Sequence, residues 1–302
     1  MASGANVIDA RLLRRLGLPR PDELDDKEAR GRVLVVGGSR ETPGAVVLAG
    51  LAALRTGAGK LRIATVQGSA QHVAAAVPEA RVYALRETKA GEIAPASAEK
   101  IGELLDGVDA ACVGPGMIDE ASAARLLRKV LPCASDVRVV IDANALVCLR
   151  GGPGVLGGMA GRVVITPQAE EMAALLSTGK DEVERSRRET AARAARGLGV
   201  VVALKGRETF VAGPGAEGPF VNRAGNVGLA TSGSGDVLAG LIAGLLARGA
   251  QPLSAAAWGV HAHALAGDRL ARRTGPLGFL ARELLKEIPA VLARLEGRRG
   301  AK

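Results

Sequence analysis

The chain has 302 residues, 48% hydrophobic and only 2% aromatic, with a formal net charge of +9. That length supports one large domain or two modest ones, with a core built from Ala, Val and Leu. The basic excess lies in Arg185, Arg187, Arg188, Arg193 and Arg196, and in Arg294, Arg298, Arg299 and Lys302. No aromatic residues interleave with it and no nucleic-acid module accompanies it, so nucleic acid is excluded as an expected partner, while a polyanionic small molecule fits. Cys112, Cys133 and Cys148 show no paired spacing, and His72, His261 and His263 are too dispersed for a zinc pattern; both histidines near 260 read as structural or rim residues. No continuous apolar run reaches membrane-spanning length, so a cytoplasmic protein with no membrane partner is expected.

In chain order, residues 1–30 carry clustered charges and read as a peripheral arm. A β-branched run at 33–36 ends in Gly37-Gly38-Ser39 and leads to a helical stretch at 44–56. A strand follows at 61–66, and helical stretches at 96–105, 121–131, 168–176 and 182–196 separate further runs at 109–113, 137–141, 162–165 and 200–204. Segments 208–211 and 219–222 flank a Gly/Pro-rich turn and read as a hairpin. Helices at 237–247, 253–272 and 279–295 close a single domain spanning 31–297, and 298–302 read as a basic tail. The alternation of strand and helix predicts an α/β fold, a mainly parallel sheet with helices on both faces. Gly114-Pro115-Gly116, Asp142, Thr166-Pro167 and Lys205-Gly206 all fall just after strands, on the rim where open α/β sheets bind ligands.

The most informative stretch is 222–240, NRAGNVGLATSGSGDVLAG. Gly233, Ser234 and Gly235 precede Asp236 and an apolar helix. Glycines let consecutive N–H groups converge, and a helix N-terminus adds open donors and a positive dipole end, which together make an anion hole. A carboxylate beside a phosphate site suggests phosphoryl transfer to a hydroxyl or water; the alternative is a tight turn in which Asp236 serves only as the helix cap. A P-loop is excluded because Gly59-Lys60 is followed by Leu61, and Gly37-Gly38-Ser39-Arg40 does not complete a dinucleotide fingerprint.

The late Gly-x-Gly-Asp opening a helix resembles the ribokinase-like superfamily. Within it, VLVVGGSRETPGAVVLAGLAALRTGAGKLRIAT, VGPGM, VIDANAL, TPQAEEMAALL, LKGRETFV and GNVGLATSGSGDVLAG, in that order and spacing, are similar to the ADP/ATP-dependent NAD(P)H-hydrate dehydratases, which repair nicotinamide nucleotides. The resemblance runs from about Gly31 to the last helix. It implies a three-layer α/β/α fold and a lyase that takes the S-form hydrates NADHX and NADPHX with ADP or ATP and Mg²⁺. It also implies a homo-oligomer, a tetramer being one form. The family is often fused to an epimerase, for which this length leaves no room.

By the same resemblance Asp236 accepts the hydroxyl proton, its place at a helix N-terminus keeping it ionised, and Gly233, Ser234 and Gly235 bind the transferred phosphate. Lys205, Gly206, Arg207, Glu208 and Thr209 line the nucleotide site, with Gly235 on its phosphate side. Ala45, Gly116, Gln168 and Asp236 meet the hydrate, and Glu171 reaches the metal through water. The residues alone leave Lys205 open as a solvent lysine, Glu171 as a surface helix residue, and the glycine pairs as ordinary turns. The family usually has Thr-Pro-His where this chain has Thr166-Pro167-Gln168, and Met and Gly where it has Leu229 and Ser232. A glutamine hydrogen-bonds but carries no charge. The competing readings are a kinase of a small hydroxymethyl heterocycle, of the thiamine-precursor type, and a nucleotide-binding homologue without catalysis.

Overall fold

Runs such as Val33-Leu34-Val35-Val36 lack polar alternation and can rest only between two covering layers. The computed structural model, which describes residues 6–19, 26–134 and 136–297, places them there. Ten strands form one sheet: β1 (Asn6–Val7), β2 (Arg32–Val36), β3 (Lys60–Val66), β4 (Ala80–Leu85), β5 (Ala110–Val113), β6 (Arg138–Ile141), β7 (Val163–Ile165), β8 (Val201–Leu204), β9 (Thr209–Ala212) and β10 (Phe220–Asn222). Their order is β1-β10-β9-β8-β7-β6-β5-β2-β3-β4. Only β9 runs against the others, in its pairings with β8 and β10. Successive side chains point to opposite faces. Val33 and Val35 therefore enter one core and Leu34 and Val36 the other.

The first core is covered by α1 (Ala10–Leu16), α2 (Gly44–Arg55), α9 (Ser234–Ala247), α10 (Pro252–Thr274) and α11 (Ala281–Leu295), with α3 (Gln67–Ala76) at its margin. The second is covered by α4 (Ala98–Leu105), α5 (Glu120–Val130), α6 (Ala169–Leu176), α7 (Lys180–Arg185) and α8 (Arg187–Leu198). This is the expected three-layer α/β/α arrangement. Helix α9 is apolar all round and buried without a break from Val237 to Ala247.

The expected peripheral arm is corrected in part. Strand β1 extends the sheet beside β10, and Leu12 and Leu13 are buried in the core. The indole N–H of Trp258 donates to the Leu13 carbonyl at 3.0 Å, and the Ser254 hydroxyl donates to Leu16 at 3.1 Å. A buried indole needs an acceptor, and this segment supplies it. Residues 1–5 and 20–25 of the arm and the basic tail 298–302 lie outside the described residues. Helix α3 and strand β4 were not foreseen, and the helix expected at 182–196 breaks at Ser186, where φ is −132°. No described helix is long and apolar enough to cross a membrane.

The chain adds β3 and β4 on one side of β2, then returns to place β5 on the other. Such a reversal of strand order, here at β2 and β5, marks the carboxyl ends at which open α/β sheets bind ligands.

Candidate active site

The loops that leave β2 and β5 hold each other. Gly38 N–H donates to the Pro115 carbonyl at 2.7 Å, and the Thr42 hydroxyl donates to the Gly116 carbonyl at 2.7 Å. Gly116 has φ +71°, and a Cβ there would lie 2.8 Å from the Ala45 Cβ and 2.6 Å from the Thr42 carbonyl oxygen. Only glycine serves at that position. Ala45 and Gly116, expected together, are brought into contact.

Helix α9 begins with an open N-terminus. Its N-cap is Gly233, in a left-handed conformation, and no side chain caps it. Asp236 therefore sits inside the first turn rather than capping it, which removes the simple-cap alternative. Ser234 N–H already donates to the Thr231 carbonyl at 3.2 Å. The donors left for an anion are those of Gly235 and Asp236, which have no acceptor within the helix. Burial pushes the Asp236 carboxyl up to about 7, Asp142 adds to the rise, and Lys205 opposes it. The helix end was expected to keep this carboxyl ionised; burial works against that expectation.

The Lys205 block joins the site from the other side. Lys205 N–H donates to the Pro167 carbonyl at 2.8 Å, tying the end of β8 to the end of β7. Its ammonium lies 3.0 Å from Asp142 Oδ1, and that oxygen also accepts from the Thr166 hydroxyl at 2.6 Å. A Cβ on Gly235 would lie 3.4 Å from Lys205 Nζ, so the cation sits against the anion loop. Its side chain is only 16% exposed, which excludes a free solvent lysine. Burial works against the ammonium, but Asp142, Glu171 and Asp236 outweigh it and hold it above its ordinary value.

A cavity of about 1020 Å³ opens beside this group. Gln168, Lys205, Gly206, Arg207, Thr209, Thr231, Ser234, Gly235 and His263 all contribute to its wall. Glu208 instead binds Arg223 at 2.8 Å and lines an adjoining recess. A side chain on Gly206 would occupy the space of the Arg187 guanidinium, which donates to the Lys205 carbonyl. Ala45, Gly116 and Asp236 lie outside the cavity's lining, so Gln168 stands apart from the other three residues with which it was grouped.

Gln168 is also the N-cap of α6, and its N–H donates to Glu171 Oε2 at 2.6 Å in a capping box. Glu171 is therefore partly committed to the helix start. Burial raises its carboxyl, and Lys205 opposes the rise most. Among the described residues, no cluster of three or more His, Cys, Asp or Glu side chains is arranged to hold a metal ion.

Sequence reasoning missed four contributors. Asp142 and Thr166 were visible as strand-end residues but received no role. His263 Nε2 lies 3.1 Å from Ser234 Oγ and 3.0 Å from the Ser234 carbonyl oxygen, and burial lowers its pKa to about 4. Asp268 accepts from Gly225 N–H at 3.0 Å and from the Asn226 amide at 2.9 Å, fixing the start of the glycine-rich loop. Their signal was spatial, since each partner lies far away in sequence.

The family model for NAD(P)H-hydrate dehydratase matches residues 33–290. The chain is 46% identical over 289 residues to the ADP-dependent (S)-NAD(P)H-hydrate dehydratase of Xanthomonas campestris, covering 96% of each protein. It is 40% identical over 282 residues to the bifunctional NAD(P)H-hydrate repair enzyme Nnr of Moorella thermoacetica, covering 53% of that longer protein. The crystal structure of the ADP/ATP-dependent NAD(P)H-hydrate dehydratase from Bacillus subtilis, co-crystallised with ATP and Mg²⁺, superposes with a TM-score of 0.82 at 29% identity, covering 98% of this chain and all of that one. The chain spans nearly the whole length of the Xanthomonas campestris relative. It belongs to the NAD(P)H-hydrate dehydratase family.

Proposed function

We propose that this protein dehydrates the S-form hydrates of NADH and NADPH at the expense of ADP or ATP. The observation that carries the reading is Asp236 in the first turn of an uncapped helix, with Lys205 against the same loop. That pairing offers a base for a hydroxyl and positive charge for a phosphate, the two needs of phosphoryl transfer.

Asp236 takes the proton of the ring hydroxyl while that oxygen attacks the terminal phosphorus of the nucleotide. The bond between that phosphorus and its bridging oxygen breaks, and AMP or ADP leaves. The ring nitrogen lone pair then expels phosphate as the ring carbon–oxygen bond breaks. The adjacent ring carbon loses a proton, which restores the dihydronicotinamide. Gly235 and Asp236 N–H groups and Lys205 hold the phosphate, with Gly233 and Ser234 shaping the loop. Ala45 and Gly116 admit the hydrated ring closely, and Gln168 meets the substrate from the wall of the cavity. Gly206, Arg207, Glu208 and Thr209 belong to the nucleotide side.

A magnesium ion fits this donor set. With no three-ligand cluster among the described residues, a cation bound here would have to take most of its oxygens from phosphates and water, as Mg²⁺ does. Glu171 would hold it through water with the oxygen not committed to Gln168. When bound, the ion neutralises charge on the nucleotide phosphates. A cytoplasmic homo-oligomer, a tetramer being one form, completes the proposal.

The test mixes the protein with hydrated NADH or NADPH, Mg²⁺ and ADP or ATP, and follows dihydronicotinamide absorbance together with inorganic phosphate. Both should appear in equal amounts. Accumulation of a stable phosphorylated product would instead identify a kinase. ADP binding with no turnover of either hydrate would identify a non-catalytic homologue.

A further inference from the structure

We infer that Asp142 is a positioning residue, one that holds the Lys205 ammonium against Gly235 at the start of α9, on the wall of the cavity. Asp142 is 3% exposed in its side chain, and one carboxylate oxygen takes both Thr166 Oγ1 at 2.6 Å and Lys205 Nζ at 3.0 Å. Its Oδ2 lies 3.9 Å from where a Cβ on Gly235 would stand, so both oxygens are directed at the same corner of the site.

The backbone of Asp142 is held as firmly as its side chain. Its N–H donates to the Val113 carbonyl at 3.1 Å. Gly114 approaches so closely that a Cβ there would lie 2.0 Å from the Asp142 carbonyl oxygen. Ala143, the next residue, has φ +54°, a left-handed conformation that alanine keeps only where its surroundings impose it. Asn144 then donates to the Ile118 carbonyl at 2.6 Å. Backbone contacts and the Asn144 side-chain amide therefore reach the loop that carries Gly116, while the Asp142 carboxylate reaches the block that carries Lys205. A lysine stem has four rotatable bonds and a pointlike charge. Without Asp142, Lys205 loses the hydrogen bond that holds it against Gly235 and keeps only the coulombic pull of Glu171 and Asp236, which leaves it freer to turn into the cavity.

The role rests on the dehydratase reading for its catalytic consequence, but not for its structural one. The first arm of the test needs no turnover. Lys205 labelling by an amine-reactive acylating reagent, mapped by mass spectrometry, should rise at least about tenfold in Asp142→Asn. This substitution keeps an acceptor for Thr166 and removes the charge that holds the ammonium. Thr166→Val, which loosens the same carboxylate without touching Lys205, should raise labelling by a smaller factor and serves if Asp142→Asn folds poorly. Unchanged labelling in both variants overturns the inference.

The second arm follows kinetics. Asp142→Asn should lower kcat by about 10- to 100-fold, the size of a lost charged hydrogen bond. KM for the hydrate and Kd for ADP, the latter measured by calorimetry, should move less than about threefold. Added to Lys205→Gln, it should cost nothing further, since it acts through that residue. Additive losses would overturn the inference. So would full recovery of Asp142→Asn at high Mg²⁺, which would place Asp142 on the cation. A wild type that binds ADP but restores no dihydronicotinamide sinks the dehydratase reading and leaves the labelling arm to decide this one.

Discussion

Gly240 of α9 meets Ala49 of α2 backbone to backbone: a Cβ on Gly240 would lie 2.0 Å from the Ala49 carbonyl oxygen. One turn on, a Cβ on Gly244 would lie 2.5 Å from the Ala53 carbonyl oxygen. The same two helices carry Asp236 and Ala45 in their first turns, so this glycine seam sets the distance between those two residues. In an exposed helix Gly→Ala is stabilising, by about 1 kcal/mol. Here Gly240→Ala should instead destabilise by roughly 1–3 kcal/mol, because two backbones must part. Chemical denaturation measures the loss, and kcat should fall along with it. An alanine variant as stable and active as the wild type would refute the seam.

Asp236 leads to a pH prediction. Its carboxyl is pushed up to about 7 by burial first and by Asp142 second, with Lys205 opposing. A base works only when deprotonated, so kcat/KM, which reports the free enzyme, should fall as pH drops through about 7. Asp236→Asn should lose about 10²- to 10⁴-fold in rate, the usual worth of a positioned base, and lose that acidic limb too. Near wild-type turnover with the limb intact would assign the proton to another group.

The layers of the fold were legible because composition forces them. Runs such as 33–36 and 237–246 have no polar residue to expose, so strand and buried helix follow from the pattern alone. Strand β4 was not legible: it lies at the sheet edge, half exposed, and its residues do not alternate cleanly. The core role of Leu12 and Leu13 depends on Trp258, which only the folded chain brings near them. At the site, the uncapped start of α9 could be read from its glycines. The link from Asp142 through Lys205 could not, since those residues are 63 positions apart and meet only when β6 and β8 flank β7.

His263 makes a prediction about stability. Burial holds its pKa at about 4, well below its ordinary 6.5, with the Ser234 carbonyl working the other way. The folded state therefore keeps the ring neutral while the unfolded chain binds a proton as pH falls below 6.5. The stability is fully present above pH 6.5 and is lost as pH falls toward 4, by on the order of 3 kcal/mol in total. His261 is lowered as well, also mainly by burial, and adds in the same direction. Urea denaturation at pH 7 and pH 4.5 should show the loss in the wild type and a smaller one in His263→Asn. An identical pH slope in both proteins would show that His263 is charged in the folded state.

Gln168 carries the last prediction. It stands on the wall of the cavity that Lys205 shares, and its backbone is fixed by Glu171 at 2.6 Å, so a side chain here starts from a rigid position. Histidine there would stack on a ring or carry charge near a phosphate, while glutamine retains only a neutral hydrogen bond. The difference between a charged and a neutral hydrogen bond is about 1–2 kcal/mol. Gln168→His should then lower KM for the hydrate roughly tenfold and leave kcat nearly unchanged, the pattern of an interaction made equally in ground and transition states. The cavity wall supplies a sharper alternative outcome. If KM for ADP or ATP falls while that for the hydrate stays fixed, position 168 serves the nucleotide half of the site, and the hydrate is held by Ala45, Gly116 and Asp236 without it.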